Sequence, residues 1–134
     1  MATRSPSVQV GTNNVTQTLF IIRAANMTLT TDQVLTKVGN FTNYVVTNIV
    51  GITKSGAFGV ACVGGIYSAA TKGGDAILAA AQTWGGLTGV GLASISTLAN
   101  IIQKQESATP ILSLTTGNTG ALTADIFVQG IVTD

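Results

Sequence analysis

Residues that could carry out acid–base or metal chemistry are scarce in this sequence. There is no histidine, so the usual general base, the Ser-His-Asp triad and the commonest metal ligand are missing. The acidic residues lie far apart along the chain: Asp32, Asp75, Glu106, Asp125 and Asp134. None of them belongs to a calcium-binding loop motif. The sequence therefore predicts a protein that is not an enzyme and has no cofactor or metal, although folding could still pair two carboxylates for glycoside chemistry.

The glycine-rich segments and the single cysteine also point away from catalysis. Residues 59–65 and 85–89 are rich in glycine, but neither is followed by the Lys-Ser/Thr pair of a phosphate-binding loop. Cys62 is the single cysteine of the chain, which excludes an internal disulfide. We predict that it is a small buried residue. A disulfide between subunits is the alternative.

The composition is that of one neutral domain that associates readily. The chain has 134 residues, enough for one domain with a real core. Hydrophobic residues make up 46% and charged residues 8% of it, against about 25% charged in an average domain. The formal net charge is +1. Because small proteins with a net charge near zero tend to associate, the composition predicts a subunit that packs beside other copies.

The cationic residues are too dispersed for a nucleic-acid surface, which needs clustered Lys and Arg. They occur singly: Arg4, Arg23, Lys37, Lys54, Lys72 and Lys104. Residues 76–103 carry no charge, but they include many Ser, Thr, Asn, Gln and Gly residues. A spanning helix needs about 20 predominantly apolar residues. The sequence therefore predicts neither a nucleic-acid partner nor a membrane partner.

Runs of β-branched and aromatic residues predict antiparallel strands. The densest run is residues 44–53, which a turn at 54–56 would end. Residues 60–69 form a second run before the glycine-rich turn at 72–75. Near the start, residues 16–22 predict a strand with residues 27–30 as its short partner, and residues 33–38 alternate moderately. Residues 76–81 favour a strand or one helical turn, and residues 98–105 fit a short helix or a strand equally well.

The C-terminal part carries the clearest pattern. Residues 109–116 and 121–133 predict two strands of a hairpin around a turn at 117–120. In the second strand one face is apolar: Leu122, Ala124, Ile126 and Val128. Phe127 and Ile131 interrupt the opposite, polar face. We therefore expect that face to be partly covered, by another element of the chain or by a subunit.

These elements predict one domain preceded by an arm. Loop-forming residues dominate residues 1–14, and nothing later in the chain suggests a second domain. The predicted organisation is an extended N-terminal arm over residues 1–14 and a β-sandwich domain over residues 15–134. The fold class is all-β, an antiparallel, jelly-roll-like sandwich of about eight strands with room for one short helix.

The aromatic residues allow two interpretations. Trp84 is flanked by Thr83 and two glycines, which suits an exposed anchor, because tryptophan is favoured in interface hot spots. A core tryptophan is the alternative. Tyr44 and Tyr67 lie within predicted strands and carry the same ambiguity.

Several segments together resemble a known class of proteins. They are residues 18–22, residues 65–70 before a Gly-Gly-Asp turn, residues 76–81 and the closing segment 112–128. In style they resemble the small virion proteins of tailed bacteriophages, especially the capsid decoration, or cement, proteins. That family has no catalytic residues to transfer to this chain.

The resemblance implies a β-sandwich that binds the outside of an icosahedral phage head as a trimer and stabilises it. The implied partners are the major capsid protein and further copies of the chain. The implied location is the capsid surface of the virion, after assembly in the host cytoplasm. The arm would then hold a neighbouring subunit. The candidate interface residues are Arg4, Pro6, Val8, Val10, Trp84, Phe127 and Ile131.

An alternative function belongs to a different class. The chain could be an adhesin module of a tail or head fibre that binds a glycan on the host surface. Such a module would use exposed aromatic side chains, here Trp84 or the tyrosines, against the sugar.

Overall fold

The structure, a computed structural model, describes residues 16–56, 62–87, 94–96 and 101–134. These residues form two antiparallel sheets and contain no helix, so the predicted all-β class is confirmed. None of them belongs to a helix with the length and apolarity that a membrane crossing requires. Four candidate interface residues, Arg4, Pro6, Val8 and Val10, lie outside the described residues.

The described residues form ten strands, which are divided between the two sheets. Their bounds are β1 Gln17–Asn26, β2 Gln33–Val34, β3 Thr36–Lys37, β4 Tyr44–Gly56, β5 Val63–Ala69, β6 Gly73–Leu78, β7 Ser94–Ser96, β8 Gln105–Glu106, β9 Ile111–Thr116 and β10 Leu122–Val132. The larger sheet has the order β3-β1-β10-β4-β7, and β8 also pairs with β4. The smaller sheet has the order β2-β9-β5-β6.

The strand pairing is nested in the manner of a long hairpin. β1 pairs with β10, β2 with β9, β4 with β7 and β5 with β6. Rolling this hairpin into two layers adds the β4–β10 and β5–β9 pairs. This is the strand order of a jelly roll, so the predicted architecture is confirmed, with β3 and β8 as short additions.

The chain changes sheets within the segment predicted as one strand over residues 33–38. β2 belongs to the smaller sheet and β3 to the larger one. Leu35 lies between them, and its side chain is buried in the core. Its backbone nitrogen donates to the Pro110 carbonyl oxygen at 3.1 Å. The segment therefore ties the two sheets together.

The prediction of a C-terminal hairpin is wrong, because β9 and β10 lie in different sheets. The loop between them packs against the loop that follows β1: the Asn118 nitrogen donates to the Met27 carbonyl oxygen at 2.7 Å. A Cβ on Gly117 would lie 2.2 Å from the Thr28 carbonyl oxygen, so this close approach requires glycine. Alternation identifies a strand correctly, but it does not identify the strand's partner.

Three further details differ from the expectation. β4 continues through the predicted turn at 54–56, where Gly56 has a φ of +95° and its Cβ position is blocked by the Ala121 carbonyl oxygen. Residues 27–30 form a turn at 27–28 and an irregular continuation instead of a strand. Residues 76–78 belong to β6, so the strand is the correct alternative there. In the segment 98–105, residues 98–100 lie outside the described residues and Gln105 begins β8.

The core lies between the two sheets. Its aromatic part is a cluster of Phe20, Phe41 and Tyr44 in edge-to-face contact, with ring centroids 4.9–5.9 Å apart. Leu112 and Leu114 of β9 face this core from the smaller sheet and are fully buried. One face of the larger sheet is thereby packed against the core, and its other face points outward.

Candidate interaction surface

The outer face of the larger sheet is built by the alternation in β10. Leu122, Ala124, Ile126 and Val128 are buried against the core, as predicted. Since successive side chains of a strand point to opposite faces, Asp125, Phe127, Gln129 and Ile131 lie on the outside. The two flanking strands, β1 and β4, supply the rest of this face.

An apolar stripe runs along this outer face. Phe127 lies between Ile21 of β1 and Val50 of β4, and Ile131 lies beside Val45. All these side chains are half-buried. We define the outer-face stripe as Ile21, Val45, Val50, Ile52, Phe127 and Ile131. Contiguous apolar surface of this kind marks an interaction site more often than single exposed apolar residues do.

A polar row crosses the stripe at its middle. Asn48 and Gln129 are cross-strand neighbours, and the Asn48 Nδ2 atom donates to Gln129 Oε1 at 2.8 Å. The Asn48 Oδ1 atom is buried and has no hydrogen-bond partner among the described residues. A buried acceptor without a partner costs free energy, so this row is incomplete as it stands.

One end of the stripe is charged. The Asp125 side chain is 7% exposed and accepts from the Ala24 backbone nitrogen at 2.8 Å and from Arg23 Nη1 at 3.3 Å. Lys54 Nζ lies 3.9 Å from the same carboxylate. Ala24 has a φ of 51° in an irregular stretch of β1, and Asp125 therefore stabilises this unusual backbone. The Arg23 guanidinium also lies 5.1 Å from the centre of the Phe127 ring.

Asp125→Ala is expected to destabilise the fold by about 1–3 kcal/mol, because the Ala24 nitrogen loses its partner at a partly buried position. Urea denaturation monitored by circular dichroism measures this loss. The matched control is Lys54→Ala, whose exposed side chain makes the longest contact; it should stay within about 0.5 kcal/mol of wild type. Equal losses for the two variants would contradict this account of the charged end.

Trp84 is not part of this surface, and its interpretation as an exposed anchor is wrong. Its side chain is 0% exposed. The indole Nε1 donates to the Gly64 carbonyl oxygen at 3.1 Å, and the ring packs on Gly51, where an added Cβ would lie 3.3 Å from the indole Cζ3. The core tryptophan is the correct alternative. The aromatic ring sits inside because β4 leaves a side-chain-free position for it.

The other residues with two interpretations are also internal. Tyr44 and Tyr67 are buried, and the Tyr44 hydroxyl donates to the Ala108 carbonyl oxygen. Cys62 is buried, and burial raises the pKa of its thiol. The prediction of a small buried cysteine is therefore confirmed. Phe127 is the one aromatic side chain among the described residues that is not buried.

Known proteins offer no further guide to this surface. Comparisons with protein-family models, with curated proteins and with solved structures found no match. The outer-face stripe must be interpreted from its own geometry. Of the interface residues predicted from the sequence, Phe127 and Ile131 lie on the stripe. Asn48 and Val50 of β4 were not predicted. The signal for them was that β4 has apolar residues at outward-facing as well as inward-facing positions.

Folding does bring one pair of carboxyl groups together, away from the stripe. Glu106 contacts the carboxyl group of Asp75, and Lys104 Nζ lies 2.7 Å from Asp75 Oδ2. Lys104 lowers the pKa of Asp75, whereas a general acid needs a raised pKa. No pocket adjoins the pair within the described residues, and no metal-binding cluster occurs among them. The pair therefore suits an ion-pair network at the surface.

The stability of the protein should depend on pH at both extremes. Hydrogen bonds from the Thr42 and Asn43 nitrogens lower the pKa of Asp134 below its usual value of 3.8. Its stabilisation is thus complete above that value and is lost as the pH falls through the folded-state pKa. Burial, and then the Glu106 charge, raise the pKa of Tyr44 above its usual value of 10.0. That contribution is present below pH 10.0 and is lost as the pH rises further.

We therefore expect a melting temperature that is constant between about pH 5 and pH 9 and that falls on both sides of this range. Thermal unfolding followed by circular dichroism across the pH range measures it. Asp134→Asn should reduce the acid-side fall and leave the alkaline side unchanged. A variant profile identical to that of wild type below pH 5 would contradict the role of Asp134.

Proposed function

We propose that this chain is a virion structural protein, a capsid decoration protein that binds the outside of a phage head and stabilises it through subunit contacts. The observation that carries the proposal is the outer-face stripe, centred on Phe127, on a sheet whose opposite face is closed by the core. The described residues form no pocket that would take a small molecule. On this proposal the protein acts through contacts with neighbouring protein surfaces and not on a small molecule.

The mechanism is stabilisation by binding. A protein that binds the mature shell, and not its looser precursor, shifts the equilibrium toward the mature shell. Many copies that each bind weakly add up through avidity when they are linked to one another. A chain with few charges and a largely apolar outer face suits repeated contacts of this kind, because little charge has to lose its hydration.

The charge arrangement supports the same function. Asp125 already pairs with Arg23 and Lys54 within the chain. Burying this end against a partner therefore does not strand an isolated carboxylate, which would be costly. The jelly-roll strand order also occurs in viral capsid domains and in lectins. That likeness is one of fold alone, and it supports the proposal only as an analogy.

The adhesin alternative receives less support. It depended on exposed aromatic side chains, yet Trp84, Tyr44 and Tyr67 are buried. Sugars bind in concave sites that combine aromatic faces with convergent polar groups, and no pocket occurs among the described residues. Phe127 lies on the outer face of the sheet, where its ring is already contacted by Arg23.

The copy number of the protein in purified phage particles tests the proposal. Quantitative mass spectrometry should find it in an amount comparable to that of the shell protein. A few copies per particle would instead place it on the tail, and its absence from particles would overturn the proposal. If it proved to be the most abundant protein, it would be the shell subunit itself and not a decoration.

A further inference from the structure

We propose that a second copy of this chain covers the outer-face stripe, and that a twofold axis runs along the Asn48–Gln129 row. This inference rests on the proposed function in that both bury the outer face within an assembly. The proposed function does not say which protein covers the face, and the geometry of the stripe does.

The first argument comes from the position of the polar row. Asn48 and Gln129 lie between the Phe127 level and the Ile131 level of the sheet. An axis along this row places each Asn48 opposite the Asn48 of the second copy. The polar row of one copy then contacts the polar row of the other, and neither row is buried against apolar side chains. Such self-complementary pairing is the rule in twofold contacts.

The second argument comes from the apolar residues on either side of the row. The twofold rotation reverses the strand direction, so Phe127 of one copy packs over Ile131 and Val45 of the other. A large ring is thus matched with smaller aliphatic side chains, as in the core of a sandwich of two sheets. On β10, Gln129 is the one polar residue between Phe127 and Ile131.

The third argument comes from charge. Arg23 and Lys54 outnumber Asp125 at one end of β10, which is therefore net cationic, whereas Asp134, with Lys37 nearby, follows its other end. Reversal of the strands brings the Arg23 end of one copy toward the Asp134 end of the other. The opposite arrangement, with strands in the same direction, would place both cationic ends face to face across about 10 Å. Charge therefore favours the reversed arrangement.

The size of the face is sufficient for such a dimer. β10 is 11 residues long, and the sheet continues on both sides of it. With a strand spacing of about 4.8 Å and a rise of about 3.4 Å per residue, β1, β4 and β10 together cover about 550 Å². A specific interface buries about 1,000 Å² or more in total, which is about 500 Å² on each partner.

Two cysteine variants test the arrangement on the full chain. Gln129→Cys places a thiol on the twofold axis, close to the same thiol of the second copy. Thr123→Cys places a thiol beyond the charged end, far from the equivalent thiol of the second copy. With a short bismaleimide linker, Gln129→Cys should form a covalent dimer and Thr123→Cys should remain uncross-linked. Wild type is the control, because its Cys62 is buried. Efficient cross-linking of Thr123→Cys would overturn the reversed arrangement.

Sedimentation equilibrium of the wild-type chain completes the test. The expected mass is twice the 13.6 kDa of one chain. A trimer would overturn the inference, since a twofold contact pairs only two copies. A monomer would also overturn it. In that case, protection of a Phe127→Cys thiol from modification would assign the face to another segment of the same chain. An accessible thiol would leave the face to the shell protein, and particle copy number would still support or reject the proposed function separately.

Discussion

Replacement of Trp84 by alanine is expected to lower the free energy of unfolding by about 3–5 kcal/mol, the cost of removing a large aromatic side chain from a packed core. The side chain is fully buried, and its Nε1 bond to the Gly64 carbonyl oxygen would be lost with it. The indole also fills the space that Gly51 leaves open on β4. The backbone around Gly51 cannot close this space without moving β4, an interior strand of the larger sheet.

Urea denaturation followed by circular dichroism measures the loss, at one fixed protein concentration because self-association would add to apparent stability. Thr83→Ala, at the exposed neighbouring position, is the matched control and should stay within about 0.5 kcal/mol of wild type. Trp84→Phe should lie between wild type and Trp84→Ala. If Trp84→Ala matched the stability of Thr83→Ala, the indole would be a surface group and the packing described above would be wrong.

The double variant Phe127→Thr/Ile131→Thr is expected to keep the fold and to lose self-association. Both side chains point away from the core, and threonine favours strands. Burial of a side chain of this size is worth about 1.5–3 kcal/mol, and a twofold interface loses each contact twice. The dimer dissociation constant should therefore rise about 100-fold or more. Sedimentation equilibrium over a range of concentrations measures the change.

Val34→Thr is the matched control for this variant. Val34 lies on β2 of the smaller sheet and is 61% exposed, so the same chemical change is made on the opposite side of the sandwich. It should leave the dimer dissociation constant unchanged. An equal loss of association in Val34→Thr would place the interface on the smaller sheet instead.

Much of the strand content of this fold could be predicted from the sequence. β-branched residues in 44–53 and the alternation in 121–133 identify β4 and β10, because a strand with one buried face must repeat every second residue. The exclusion of an internal disulfide followed from a single Cys62. Local sequence patterns were sufficient to predict local properties, such as whether a segment forms a strand.

The pairing of the strands could not be predicted in the same way. β9 and β10 are adjacent in sequence and separated by turn residues, yet each pairs with strands far away along the chain. A jelly roll pairs its first strand with its last, and the selection depends on core packing across the whole domain. Short-range signals at 117–120 report only that the chain turns.

The candidate surface was partly visible in the sequence. Phe127 and Ile131 interrupt a polar face, and the structure places both side chains, half-buried, on the outer face of the larger sheet. Trp84 was ambiguous because its neighbours are small and polar, and burial was decided by Gly51, thirty-three positions earlier. Asn48 carried no signal of its own, since its importance comes from the strand that lies beside it.

The heat stability of phage particles tests the central claim most directly. Particles stripped of this protein, and the same particles after re-addition of wild type or of Phe127→Thr/Ile131→Thr, are heated while genome release is followed with a nucleic-acid dye. Stripping should lower the release temperature, wild type should restore it, and the double variant should restore it less. An unchanged release temperature after stripping would contradict the claim that this protein stabilises the shell.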